Sequence, residues 1–187
     1  MITTGCSAQK NMFTENVNAA TGKQPVEDSV LQKLQNENEL VIAFAIEKFA
    51  WVRSIDYHIL VQNNNEWKGY IYHQNLMPNN TGSPTTIGET KVDKTAADAL
   101  LNFLTKNKAW TIKGDAENGF CADGNKDCNI NDAAGSRLWF ITKTSAINPS
   151  YYAPDFYEKC CPEKQRGLFL AITQKIAELV SDNGITE

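Results

Sequence analysis

Four of the five cysteines lie after residue 120, at positions 121, 128, 160 and 161, and they restrict what this chain can become more than any other feature. An even set of thiols in one segment predicts two disulfides and an oxidising compartment. Bridging the adjacent Cys160 and Cys161 would close a strained ring between side chains that normally point apart. Cys121 and Cys128 are therefore each expected to reach one member of that pair. Loops of this span contribute on the order of 3 to 4 kcal/mol per bridge in the chain-entropy picture. A four-thiolate zinc site is the competing use of the same residues, but the close Cys-x-x-Cys pairs that such sites usually employ are missing.

The bridges would fasten one domain rather than two, because 187 residues at 42% hydrophobic content suffice for a single sizeable core. Residues 1 to about 24 are poor in apolar side chains and read as a flexible tether, leaving residues 25–187 as the globular domain. Pro25, Glu27 and Asp28 suit the start of a short helix carrying Val26, Val30, Leu31 and Leu34 at helical spacing. Leu40 to Ile46 reads as a strand. Ile55, Tyr57, Ile59 and Val61 alternate with Asp56, His58, Leu60 and Gln62, which is the period of a strand, and Asn63-Asn64-Asn65 turns the chain into a returning strand from Trp67 to His73. Residues 75 to 92 read as a long loop with Pro78, Gly82, Pro84 and Gly88. Asp93 or Thr95 can cap a helix bearing Ala97, Leu100, Leu101 and Leu104. Strands are expected from Trp110 to Lys113 and, centrally, from Arg137 to Thr144. A last helix follows Pro162, with Leu168, Ile172, Ile176, Leu179 and Val180 inward and Gly184 beyond its end. The fold class is therefore α+β: an antiparallel sheet of four or five strands, with two or three helices mainly on one face.

The N-terminal residues Thr3-Thr4-Gly5-Cys6-Ser7 resemble the end of a bacterial lipoprotein signal, in which a Cys after a small residue carries the lipid. Thr3 stands where that family usually has Leu. The resemblance implies a lipid on Cys6 and an address in the bacterial cell envelope, facing the periplasm or the cell surface. No apolar run reaches the roughly 18 to 20 residues of a membrane-spanning helix, so Cys6 would be the only route of attachment. A formal net charge of -4 with no long basic run argues against nucleic acid as a partner.

Three constellations are candidate sites. Asp123, Asn125 and Asp127 alternate as oxygen ligands do in calcium loops, although Cys128 stands where such a loop needs Gly and Ala134 where it needs a bidentate Glu. Pairing Tyr57 with Tyr72 across the hairpin sets Asp56 opposite His73, with His58 diagonal on the same face, a carboxylate beside an imidazole. The aromatic run Tyr151, Tyr152, Phe156 and Tyr157 precedes the vicinal cysteines and could form a recognition surface. No Gly-x-Ser-x-Gly elbow, His-Glu-x-x-His or phosphate-binding glycine loop occurs. The leading expectation is thus a non-enzymatic binding or adaptor module for an envelope protein or glycan, without a resident cofactor unless calcium. The alternatives are an envelope hydrolase using acidic residues or the Asp56/His73 pair, and an inhibitor of a secreted enzyme.

Overall fold

A computed structural model describes residues 4–21, 23–48, 53–76, 86–121 and 128–181. The chain order is α1 (Thr4–Ala19), α2 (Ser29–Glu37), β1 (Leu40–Lys48), β2 (Ser54–Asn63), β3 (Glu66–Asn75), β4 (Thr86–Thr90) and α3 (Lys94–Lys106). A 3-10 turn (Ala109–Thr111), α4 (Asp115–Asn118), β5 (Gly135–Thr142), β6 (Ala146–Ile147), β7 (Ser150–Tyr152), α5 (Pro154–Cys160) and α6 (Lys164–Ser181) complete it.

The fold is α+β around one antiparallel sheet, as expected, but among the described residues the sheet has seven strands rather than four or five. Its order is β4-β3-β2-β1-β5-β6, and β7 also pairs with β5. β1 occupies the middle and is buried on both faces, which is why Leu40 to Ile46 is continuously apolar instead of alternating. One face carries Leu40, Ile42, Leu60, Leu138 and Phe140 against α1, α3 and α6. The other carries Val41, Tyr57, Ile59, Tyr72 and Trp139, with Leu31 and Leu34 of α2 closing part of it. Asn64 (φ 49) and Asn65 (φ 63) form the left-handed two-residue turn that the β2–β3 hairpin needs. That turn sets the expected register: Tyr57 pairs with Tyr72, and Asp56 with His73.

Helix starts follow their caps. Asp28 accepts from the Val30 and Leu31 amides, so α2 begins later than Pro25. Asp93 accepts from the Ala96 amide at the head of α3. The Glu163 carboxylate does the same for Gln165 and Arg166 at α6.

Four expectations are corrected. Residues 4–19 are a helix, not a tether: Phe13 and Val17, one turn apart, are fully buried, and Phe13 meets Trp110 and Phe140 edge-on at 5.8 and 5.3 Å. Residues 110–113 are not a strand. β5 already has β1 on one side and β6 and β7 on the other, so no edge is left there, and Lys108 (φ 51) turns the chain into a 3-10 turn closed by Thr111 and Ile112 amides. The 75–92 segment contains β4, which pairs with the outer edge of β3; an edge strand needs backbone partners more than alternating apolar residues. Finally, Tyr151 to Tyr157 is no loop, because β7 ends at Tyr152, Ala153 (φ 44) turns the chain, and Pro154 opens α5.

Both disulfides join the vicinal pair to the upstream cysteines: Cys121 to Cys161 and Cys128 to Cys160. They sit in a small apolar cluster with Ala153 and Tyr157, apart from the two sheet faces.

Candidate functional site

The register brings Asp56 and His73 together on the helix-covered face of the sheet. Asp56 Oδ1 lies 2.6 Å from His73 Nδ1, and Lys48 Nζ donates to Asp56 Oδ2 at 2.6 Å. Burial pushes the Asp56 carboxyl up, but the hydrogen bonds from Lys48 and His73 outweigh it and hold the group below the usual carboxylate range. Asp56 is therefore a neutralised anion with both oxygens engaged, a poor general acid or base. His58 stacks on Phe44 at 6.0 Å, its Nδ1 buried without a partner, and burial lowers its pKa. None of the four principal clefts is lined by Asp56, His58 or His73. This geometry suits a braced sheet end more than a reaction centre.

Two rings of the aromatic run are interior, and Tyr152 and Phe156 are half-buried. Tyr151 is 2% exposed, its hydroxyl donating to the Lys113 carbonyl and its ring edge-on to Phe169 at 4.8 Å. Tyr157 is buried and stacks on Phe120 at 5.0 Å. Tyr152 accepts from the Ala133 amide, and Phe156 packs edge-on against Tyr157. A recognition surface requires exposed rings, so the expectation for Tyr151 and Tyr157 is corrected: the rings form a core that seats α5 and α6. Asp123, Asn125 and Asp127 lie outside the described residues. Cys6 falls in the first turns of α1. Among the described residues, the one group with metal-ligand proximity is Cys121, Cys128 and Cys161, all held in disulfides.

What the structure does build is a groove centred on Arg137. A cleft of about 780 Å³ runs between the end of α1 and the segment from Trp110 to Ala116, and a second of about 340 Å³ opens beside α2 on the opposite face of the sheet. Gln24, Arg137 and Asn148 line both, so the two clefts adjoin at these residues. The first cleft owes its wall to Gly114, where a Cβ would come within 2.4 Å of the Ser150 carbonyl oxygen on β7. Buried rings lie beneath the second: Tyr57 is 5.0 Å from Tyr72 and 5.6 Å from Trp139. Its rim includes Asp28, Glu47 and Gln74.

Arg137 spans the junction. Its guanidinium lies over the Trp139 ring at 5.3 Å, Nη2 meets Glu47 Oε1 at 3.3 Å, and Nε is buried without a partner. Burial and the nearby Asp28 carboxylate raise the Tyr57 hydroxyl pKa, and the same two causes push Tyr72 up to about 12. Both phenols therefore remain protonated donors at any physiological pH. Sequence reasoning did not single out Arg137; the signal was an arginine two residues from Trp139 within an otherwise apolar central strand, where side chains at i and i+2 share a face. No family model matches the chain, and no curated protein matches it.

Proposed function

We propose that this protein is a non-enzymatic binding module of the bacterial cell envelope that holds a glycan in the Arg137 groove. The observation that carries the reading is the arrangement at Arg137: a planar cation shared by two adjoining clefts, with carboxylate and amide acceptors on one rim. Sugars present a ring of hydroxyls that both donate and accept, and such a lining answers them. The cleft volumes fall in the roughly 300 to 1,000 Å³ range of small-ligand sites. Mixed charge at the rim favours an uncharged or amino-bearing chain over a polyanion. A lipid on Cys6 would hold the domain close to its membrane, since the buried Phe13 lies seven helical steps after Cys6, about 10 Å of rise.

Titration of soluble cell-wall oligosaccharides into the oxidised protein, read by calorimetry, tests this. Arg137→Ala should weaken binding by about tenfold or more, in line with loss of a charged hydrogen bond and its ring contact. An unchanged dissociation constant in the variant, or no glycan bound by the natural protein, would reject the reading.

A further inference from the structure

The two disulfides are not equivalent, and the difference lies in Arg166. This residue on α6 is 1% exposed. Its Nη2 donates to the Phe120 carbonyl at 2.5 Å, and Nη1 donates to the Cys161 carbonyl at 3.0 Å while standing 3.9 Å from Cys161 Sγ. The guanidinium also lies 5.8 Å from the ring centroids of both Tyr151 and Tyr157. Among the described residues no carboxylate forms a salt bridge with it, and the half-buried Asp115 carboxylate attracts it from farther off. A buried cation thus lies against Cys161 Sγ, and its hydrogen bond goes to Cys161 and not to Cys128.

The sulfurs are also crowded together. Sγ of Cys121, Cys128 and Cys161 all lie within 4.8 Å of one another, and Cys160 is bonded to Cys128. The second bridge is therefore within a small side-chain rotation of the first.

We propose that Cys121–Cys161 is a thiol-exchange site for a small external thiol, with Cys121 as the attacked sulfur and Cys161 as the leaving one. An incoming thiolate bonds to Cys121 Sγ as the Cys121–Cys161 bond breaks, and Cys161 departs as a thiolate whose charge Arg166 stabilises. Exchange rates rise as the leaving thiol becomes more acidic, and a neighbouring cation lowers thiol pKa. The Cys161 thiolate then attacks Cys128, forming Cys128–Cys161 and releasing Cys160 as a thiolate. Cys160 attacks Cys121 in the mixed disulfide, forms Cys121–Cys160 and returns the external thiolate. No net oxidation or reduction occurs; the vicinal cysteines exchange partners.

Exposure alone argues for the opposite outcome, which makes the proposal sharp. Cys160 is exposed and Cys121 only half so, yet attack at Cys160 would expel Cys128, whose sulfur lacks the Arg166 hydrogen bond that Cys161 has. The experiment treats the oxidised full chain with limiting reduced glutathione, quenches with acid, alkylates and maps the bridges by peptide mass spectrometry. Glutathione should appear first on Cys121, by roughly tenfold over Cys160, followed by Cys121–Cys160 and Cys128–Cys161 bridges. In the paired variant Cys128→Ser/Cys160→Ser, the adduct on Cys121 should still form while partner exchange is lost. Glutathione appearing first on Cys160, or equally on both, overturns the proposal. Arg166→Gln should slow adduct formation at Cys121 by about tenfold where circular dichroism shows it folded. The mapping in the unsubstituted protein decides the matter even where that variant does not fold.

Discussion

At the scale of single residues, what the sequence reveals depends on whether a local rule pins a side chain's position. Asp56 and His73 were legible together because an Asn-rich two-residue turn sets hairpin register, and register sets which side chains share a face. Arg137 was not, because its importance comes from a cleft wall supplied by Gly114 and Ser150, more than a dozen residues away on either side. The structure assigns Asp56 a stabilising task with a definite sign. Its carboxyl is held below its unfolded value of 3.8 by Lys48 and His73, so the contribution is present above that value and disappears as pH falls through the folded one. Both the Asp56 and Lys48 side chains are solvated, so the effect is modest, below about 1 kcal/mol after screening. Asp56→Asn should accordingly cost less than about 1 kcal/mol in urea unfolding at pH 7, and progressively less as pH falls below 3.8. An equal loss at neutral and acid pH would assign the cost to packing instead of charge.

At the scale of elements, the strands and helices that announced themselves are those with a long period of their own. β1, the β2–β3 hairpin, α3, β5 and α6 all carry four or more correctly spaced apolar positions. The elements that escaped are fixed by tertiary partners. α1 offers two buried anchors among Asn, Thr and Gln; β4 is held by backbone bonds to β3; the 3-10 turn exists because β5 has no free edge. For α1 this has a measurable consequence. Phe13 is fully enclosed by Trp110 and Phe140, so Phe13→Ala should destabilise the protein by about 3 to 5 kcal/mol. Chemical denaturation would show it, and a change under about 1 kcal/mol would mean that α1 does not carry the core contact drawn here.

For the whole molecule, three apolar clusters divide the work: two cover opposite faces of the sheet, and the third surrounds the disulfides and anchors α5. The bridges therefore brace a segment outside the main core, so a fully reduced or serine-substituted chain should keep the sheet while the surroundings of Cys128 and α5 loosen. The bridges are also nested, with separations of 40 and 32 residues, and this makes their effects unequal in sequence. Either bridge alone closes a long loop in the unfolded chain, about 4 kcal/mol in the chain-entropy relation. Once one is present, the other closes only a ring of roughly ten residues, about 3 kcal/mol in the same relation. Removing either bridge from the native protein should thus cost about 3 kcal/mol, and removing the survivor a further 4 or so. Guanidinium unfolding of Cys121→Ser/Cys161→Ser, Cys128→Ser/Cys160→Ser and the quadruple variant measures this, with amide exchange in β1 and β2 following the sheet. Strict additivity would indicate that native-state packing, not the unfolded chain, sets the value of each bridge. Loss of β1 protection in the quadruple variant under native conditions would show that the sheet itself depends on them.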